Sequence, residues 1–150
     1  MVGGRLDSVK QELTQTLRSL NADSQFFVIF FNDGAIPQPG DSWLQGVRDV
    51  PKVLPWVKFT PAGGGTQPTP AFKLALRLDP RPDTIFFMTD GAIPRTVPED
   101  VARLNNQRPK VVIHTILFGS TARRDESLQR IAQESGGTFR AVPVGARPRR

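Results

Sequence analysis

Residues 84–91 read TIFFMTDG, a short apolar run that ends at the carboxylate of Asp90 and at Gly91. A continuously apolar strand is typical of a parallel sheet that is covered on both faces. In open α/β sheets, ligands bind in the crevice beyond the carboxyl ends of the strands. The run therefore predicts a buried strand that brings Asp90 to the binding edge of a sheet. The alternative is an ordinary turn, in which Asp bonds its own backbone and Gly takes a positive φ.

The rest of the sequence alternates between helical and strand-like patterns. Apolar residues spaced three or four apart predict a helix from residue 4 to about residue 20, and the apolar run QFFVIFF at 25–31 predicts a second buried strand. Further helices are predicted over 69–78, 98–107 and 125–134, and further strands over 111–119 and 138–142. This alternation predicts an α/β layer fold with a mainly parallel sheet.

Residues 37–59 carry the weakest pattern. The part from 37 to 49 is polar and contains Gly and Pro, so we expect a surface excursion there. Residues 50–59 fit at most a short helix, because Pro51 and Pro55 each remove a backbone hydrogen bond and clash with the preceding turn.

Length and composition exclude several classes of protein. A chain of 150 residues fits one domain with one hydrophobic core. It has no cysteine, which excludes a disulfide framework, a thiolate metal site and a Cys nucleophile. No apolar run approaches the roughly 20 residues of a membrane helix, and the N-terminus lacks the pattern of a signal peptide. We therefore expect a soluble chain.

The net charge of +6 is concentrated at the C-terminus. Three of these charges come from Arg147, Arg149 and Arg150, and the other basic residues are interspersed with acidic ones. Aromatic residues lie in strand-like runs, where they do not alternate with arginines as in many nucleic-acid-binding surfaces. We expect a basic disordered tail at 144–150 and no nucleic-acid partner.

A glycine-rich loop, TPAGGGTQP at 60–68, precedes the predicted helix at 69–78. Its glycines permit a sharp turn or a close approach to another group. The hydroxyl of Thr66 or Thr69 can cap the helix. Thr66 can instead ligate a metal, and the residue types alone leave both roles open.

The pentapeptide DGAIP occurs twice, at 33–37 and at 90–94, each time directly after a Phe-rich run. Two copies do not make a repeat protein. We expect two strand exits with similar turn requirements at the same edge of the sheet.

Catalytic motifs are absent from the sequence. His114 is the only histidine, and it lies among apolar residues in the middle of a predicted strand, which predicts a packed side chain. An interior histidine cannot form a Ser-His-Asp set. The glycine loop lacks the Lys of GxxxxGK[ST], and no GxGxxG follows a strand. The sequence therefore predicts no enzyme and no small-molecule substrate, with an α/β hydrolase or a nucleotide-binding enzyme as the third alternative.

Two oxygen-bearing side chains remain at the predicted edge of the sheet, the Thr66 hydroxyl and the Asp90 carboxylate. Oxygen ligands suit a hard cation such as Mg²⁺, which prefers octahedral geometry and retains waters. Two ligands are too few to hold the ion alone. Such a site needs further oxygens from another loop or from a partner.

The motifs taken together resemble a von Willebrand factor type A domain. GGT at 64–66, MTDG at 88–91 and FFND at 30–33 are similar to motifs of that family, and Gly119 and the GGTF of 136–139 fit its late strands. The resemblance covers roughly residues 3 to 143, so that 1–143 is expected to be one domain. It implies a Rossmann-like, three-layer (αβα) sandwich with a mostly parallel sheet.

By resemblance, the sheet carries a metal-ion-dependent adhesion site that binds proteins rather than catalysing a reaction. Thr66 would ligate the metal directly, and Asp90 directly or through water. Gly64, Gly65 and Gly91 would shape the loops. The ion would be Mg²⁺, Mn²⁺ or Ca²⁺, and a carboxylate from a protein ligand would complete the shell.

The sequence departs from the family at its N-terminus. The family opens with a central strand that ends in DxSxS and supplies the main metal ligands, and this chain has neither the strand nor the motif. Two interpretations follow. Either the sequence is N-terminally truncated and the metal site exists in the full-length protein, or the domain is a metal-independent scaffold with a vestigial site. The scaffold would bind through an exposed sheet edge by strand addition.

Overall fold

The computed structural model describes residues 4–61, 63–119 and 125–143. The helices are α1 (Gly4–Arg18), α2 (Gly46–Phe59), α3 (Thr69–Leu76), α4 (Val97–Leu104) and α5 (Glu126–Ser135). The strands are β1 (Gln25–Phe26), β2 (Ile29–Phe31), β3 (Ala35–Pro37), β4 (Leu44–Gln45), β5 (Thr84–Thr89), β6 (Val112–Phe118) and β7 (Phe139–Val142). None of the helices in these ranges is long and apolar enough to cross a membrane.

Three parallel strands form the main sheet, in the order β5–β6–β7. Ile85 lies opposite Ile113, and Thr115 lies opposite Phe139. The predicted strand that ends at Asp90 is therefore present, and the predicted α/β fold with a parallel sheet is confirmed.

Side chains alternate between the two faces of this sheet. Ile113 and Leu117 of β6 belong to an apolar cluster with residues of α3, α4 and α5. Ile116 and Phe118 of the same strand pack against Val9 of α1. Because successive side chains of a strand point to opposite faces, the sheet has α3–α5 on one side and α1 on the other, which gives three layers.

The run at 25–31 is not the continuous strand that its composition predicts. It forms β1 and β2, which pair antiparallel with β4 and β3. The ladder is interrupted at Val28, whose N–H donates to the Gln38 side-chain Oε1 at 2.8 Å while Gln38 N donates to Val28 O at 2.9 Å. An amide side chain thus replaces a backbone partner, a contact that apolar patterning does not encode.

The helix α2 is longer than the short helix expected at 50–59. It runs for 14 residues and contains both Pro51 and Pro55. Both prolines are exposed, whereas Val53 and Val57 are buried against α1 and the 25–31 segment. Since the prolines lie four residues apart on the solvent side, water can satisfy the carbonyls that lose their partners, and the apolar face stays intact.

The ends of α5 follow the sequence signals closely. Asp125 is its N-cap and accepts a hydrogen bond from Leu128 N at 2.9 Å. Gly136 ends the helix with a φ of 82°. Glycine takes this left-handed conformation without the steric cost of a Cβ.

His114 does not pack in the interior as predicted. Its side chain is half exposed, and its ring stacks on Phe86 with 5.3 Å between ring centroids. Phe86 is itself 50% exposed. The face of the sheet that carries these two rings is therefore only partly covered.

A groove of about 830 Å³ lies between β5 and the 25–31 segment. We call it the sheet groove. Its lining includes Leu13 and Leu17 of α1, Ala71 and Ala75 of α3, and the ring of Phe86. The groove lies where the resemblance to the von Willebrand factor type A family expects a strand that this chain does not contain.

Candidate functional site

Thr66 and Asp90, the two predicted metal ligands, line one small cavity of about 50 Å³. Asp90 comes directly after β5, and Thr66 lies in the glycine loop that precedes α3. Asn32, which follows β2, and Leu6, in the first turns of α1, line the same cavity. All four residues are half-buried. The two predicted ligands therefore line a cavity at the carboxyl end of β5.

The glycine loop is attached to the turn between β2 and β3 by two hydrogen bonds. Gly65 N donates to Asp33 Oδ1 at 2.9 Å, and Gln67 N donates to the Asn32 backbone O at 2.8 Å. These bonds flank Thr66 on both sides. The turn residues Asn32 and Asp33 therefore position the Thr66 backbone, although they are far from it in the sequence.

Two of the three loop glycines have no room for a side chain. Gly64 has a φ of 74°, and a Cβ there would lie 3.0 Å from Asn32 Cβ. A Cβ at Gly65 would overlap Asp33 Oδ1. In contrast, a Cβ at Gly91 would have nothing within 4 Å, and its φ is not in the left-handed region. The backbone conformation thus favours glycine at 64, a side chain at 65 would displace the Asp33 carboxylate, and neither constraint applies at 91.

The geometry supports neither helix capping by Thr66 or Thr69 nor a turn made by the Asp90 side chain. The N-cap of α3 is Pro68, with no side-chain cap, so neither Thr66 nor Thr69 caps this helix. At the end of β5, Gly91 N donates to Thr89 Oγ1 at 3.4 Å. The side-chain turn bond is thus made by Thr89, and the Asp90 carboxylate makes no hydrogen bond with the described residues.

The donor atoms at the cavity suit a hard cation by type but fill only part of its shell. Thr66 offers a hydroxyl, Asp90 a carboxylate and Asn32 an amide oxygen, all of which are ligands that Mg²⁺ accepts. The Asn32 oxygen also accepts a hydrogen bond from Gly34 N at 3.1 Å. Over residues 4–61, 63–119 and 125–143, no group of three or more His, Cys, Asp or Glu side chains is arranged to hold a metal.

Asn32 and Asp33 are the site residues that sequence reasoning did not single out. The repeated DGAIP was a usable signal, because it places Asp33 after β2 just as it places Asp90 after β5. The residues at the two exits, Asn32 and Asp90, line the same cavity, although β2 and β5 belong to different sheets among the described residues. Their continuations differ, since Ala35–Pro37 returns as β3 whereas Ile93 is buried in the core ahead of α4.

His114 is remote from this cavity and lines the sheet groove. Its Nδ1 accepts a hydrogen bond from Thr138 N at 3.1 Å and lies 2.9 Å from Thr138 Oγ1. The imidazole is thus held by Thr138, which directly precedes β7, and by the Phe86 ring, and it does not line the cavity of Asp90 and Thr66.

Comparison with known proteins gives one family. The sequence matches the family model "von Willebrand factor type A domain" over residues 2–141. No curated protein matches the chain.

Solved structures with a similar fold include a von Willebrand factor type A protein from Catenulispora acidiphila, with a TM-score of 0.77 at 20% identity over 93% of this chain and 34% of that chain. Proximal thread matrix protein 1 from the mussel byssus gives 0.72 at 23% identity, over 95% and 38% of the two chains. A structure of that protein with a zinc occupied MIDAS motif gives 0.68 at 24%, over 90% and 36%. At these identities the likeness shows the fold, and the chain spans little more than a third of each solved structure.

Proposed function

Since the chain belongs to the von Willebrand factor type A family, we propose that it is a non-enzymatic protein-binding domain whose binding depends on a divalent metal ion. The observation that carries this proposal is the convergence of Thr66 and Asp90 on one cavity at the carboxyl edge of the sheet. These two residues are 24 positions apart in the sequence and line the same cavity, and the glycine loop is fixed against a neighbouring turn by the Gly65 and Gln67 hydrogen bonds.

Each part of the site has a role in holding the ion. The Thr66 hydroxyl and the Asp90 carboxylate are the ligands that this chain supplies. Asp33 positions the loop by accepting the Gly65 N–H, and Gly64 and Gly65 allow that approach. The remaining oxygens come from a DxSxS segment outside these 150 residues, and a carboxylate of the protein ligand completes the shell.

The ion is Mg²⁺, with Mn²⁺ and Ca²⁺ as further candidates, because hard cations prefer oxygen ligands. The zinc in the mussel byssus protein supports a divalent ion at this type of site. When bound, the metal supplies an electrophilic centre for an anionic group of the partner. No step of bond making or breaking is part of this function.

The first test is metal binding by the native protein, measured as the loss of free Mn²⁺ signal in electron paramagnetic resonance. The intact mass of the native protein is measured on the same preparation, because this mass shows whether the protein contains residues in addition to Met1–Arg150. We expect Asp90→Ala and Thr66→Ala each to lower Mn²⁺ affinity by more than about tenfold, the loss that changes to even the outer shell of a site typically cause. Asp41→Ala, at an exposed position away from the cavity, is the matched control.

Two results would contradict the proposal. One is Mn²⁺ binding that survives Asp90→Ala in a folded protein. The other is partner binding that EDTA leaves unchanged, which would favour the metal-independent scaffold. The small number of acidic ligands among the described residues is the observation on which that second candidate rests.

A further inference from the structure

One face of α2 carries exposed apolar side chains at every fourth residue. They are Val47, Pro51, Pro55 and Phe59, and all four are exposed. Residues four apart are neighbours on a helix surface, so these side chains form one ridge about 18 Å long at about 1.5 Å per residue. We call this ridge the α2 stripe. Single exposed apolar residues are normal, but contiguous ones with a polar rim mark interaction surfaces.

The two ends of the α2 stripe are unusually open to water. Val47 is 47% exposed and Phe59 is 76% exposed. Among the described residues, the only other exposed large apolar side chain is Phe86, which lines the sheet groove. Removal of apolar surface from water is the dominant favourable term in most protein association. The stripe therefore offers a partner apolar surface that the fold itself leaves uncovered.

The two prolines of the stripe give it backbone acceptors as well as apolar surface. Proline has no backbone N–H, so the carbonyls of Val47 and Pro51 lack the donor, four residues further on, that would usually bond to them. Such carbonyls are costly to place in hydrocarbon, whereas water and polar side chains in a protein interface can donate to them. The stripe therefore suits a protein partner better than the interior of a lipid bilayer.

Basic side chains lie on both sides of the α2 stripe. Because successive residues of a helix are about 100° apart, Arg48 and Lys52 lie along one side of the stripe and Lys58 along the other, and all three are exposed. Asp49 is the one acid of α2. It is buried and already pairs with Arg48 at 3.2 Å and with Lys52 at 3.0 Å. The exposed face of α2 is thus positively charged, which favours a negatively charged partner.

The Phe59 end of the stripe is held by a neighbouring helix. Lys10 of α1 donates from Nζ to Lys58 O at 2.9 Å and to Thr60 O at 2.6 Å. The Lys58 ammonium lies 5.6 Å from the centroid of the Phe59 ring. A cation beside a ring matches an acidic side chain beside an apolar one. Because the backbone here is already ordered, a partner would lose little free energy in ordering it.

The stripe also adjoins the cavity that Thr66 and Asp90 line. Phe59 is followed in the chain by Thr60 and Pro61, which both line this cavity. A protein ligand whose carboxylate reaches the cavity would therefore meet Phe59 at the edge of its contact. The cavity and the α2 stripe can thus form one continuous binding surface.

We propose that the α2 stripe is the part of this surface that binds an acidic, amphipathic helix of the protein ligand. A ridge of side chains four residues apart packs into the groove between the ridges of another helix. The apolar face of the partner helix covers the stripe, and its acidic flanks face Arg48, Lys52 and Lys58. This inference rests on the proposed protein-binding function, but the contact between the helices needs no metal ion.

The test measures the binding of a synthetic helical peptide to the native protein by isothermal titration calorimetry, in EDTA and at low ionic strength. The peptide has about 14 residues, which span about 21 Å as a helix, with leucines spaced three and four apart on one face and glutamates on both flanks. A control peptide carries the same leucines with lysines in place of the glutamates.

We expect the acidic peptide to bind one to one and its affinity to fall as salt is added, because salt screens exposed charges. The lysine peptide should not bind. Since EDTA removes divalent ions, this result is independent of the Mn²⁺ measurement. Peptide binding without Mn²⁺ binding would leave this inference standing and contradict the metal site, and the reverse result would contradict this inference alone.

Two pairs of variants locate the peptide on α2. Phe59→Ser should lower the peptide affinity by more than about tenfold, as for an aromatic anchor of an interface. Ala102→Ser, at an exposed position of α4, should leave the affinity unchanged. Lys58→Glu should weaken the acidic peptide by about threefold, the range of an exposed ion pair. Its matched control is Lys73→Glu, which makes the same charge change in the last turn of α3.

Several outcomes would overturn the proposal. They are the absence of binding by the acidic peptide, equal binding by the lysine peptide, an unchanged affinity in Phe59→Ser, and equal effects of the two charge reversals. Circular dichroism checks that each variant is folded, and the charge reversals decide the matter if Phe59→Ser is not.

Three further measurements distinguish other occupants of the stripe, and each of these results would also overturn the proposal. Self-association of the native protein that Phe59→Ser abolishes would assign the stripe to a second copy. Binding to phosphatidylserine vesicles that Phe59→Ser abolishes would assign it to a membrane surface. Protection of Phe59 from hydroxyl-radical oxidation before any peptide is added would assign it to another part of the same polypeptide.

Discussion

Gly65 is the residue at which the close approach between loop and turn is tightest. Its N–H donates to Asp33 Oδ1, and the space that a Cβ would need is occupied by the same oxygen. Residue types predicted that Gly64 and Gly65 shape the loop, but they did not identify Asp33 as the group they approach. That contact joins residues 32 positions apart, and no local pattern in the sequence encodes it.

Gly65→Ala tests this approach. The added methyl group must displace the exposed Asp33 carboxylate, which breaks the hydrogen bond to Gly65 N, and the loss of such a bond typically costs about 0.5–1.5 kcal/mol. We expect a lower free energy of unfolding in urea and weaker Mn²⁺ binding. Gly63→Ala is the matched control, because a Cβ there has nothing within 4 Å. Equal effects of the two substitutions would show that the contact with Asp33 is unimportant.

At the scale of the single element, α2 shows that the burial of apolar side chains can outweigh low helix propensity. Pro51 and Pro55 argued against a helix, yet the buried stripe of Val50, Val53 and Val57 stabilises one over 14 residues. The start of this helix also carries a carboxylate that local rules could have found. Asp49 accepts a hydrogen bond from Gln45 N at 2.8 Å and contacts Lys52 at 3.0 Å.

Asp49 makes the start of α2 sensitive to acid. Hydrogen bonding to Arg48, to Gln45 N and to Lys52 holds the pKa of the Asp49 carboxyl well below its usual range. Because the folded state favours the charged form, the stabilisation is present above about pH 4 and is lost as the pH falls toward the lower, folded-state pKa. We expect Asp49→Asn to lower the unfolding midpoint at pH 7, and the difference from the unchanged protein to shrink below pH 4.

The matched control for this titration is Asp41→Asn, since Asp41 is exposed. This substitution should change the unfolding midpoint little, both at pH 7 and below pH 4. Thermal unfolding followed by circular dichroism measures the midpoints. The prediction is contradicted if the unfolding midpoints of Asp49→Asn and the unchanged protein differ as much at pH 2 as at pH 7.

At the scale of the whole molecule, the apolar residues divide into clusters on the two sides of the sheet groove. One contains α2 with the 25–31 segment, and the other contains α3–α5 with β5 and β6. Sequence patterning predicted the alternation of elements, the parallel sheet and the common edge for Asp90 and Thr66. It did not predict the break at Val28, because the side chain of Gln38 causes it.

The two clusters should therefore open separately. Val53→Ala removes buried methyl groups from the first cluster and Val101→Ala from the second, each at a cost of about 1–3 kcal/mol. We expect Val53→Ala to speed amide exchange in α2 more than in β6, and Val101→Ala to show the reverse. Hydrogen exchange by mass spectrometry makes the comparison, and equal acceleration in both regions would indicate one cooperative unit.

The β5 edge that lines the sheet groove has one further consequence, for solubility, because β5 pairs only with β6 among the described residues. Unpaired strand edges flanked by apolar side chains are templates on which chains associate into fibrils. Phe27, Ile29 and Phe86 lie along such edges. A preparation with an empty groove should therefore aggregate at a lower protein concentration than one in which the groove is filled. Occupancy of the groove would then set how long the protein stays in solution during storage.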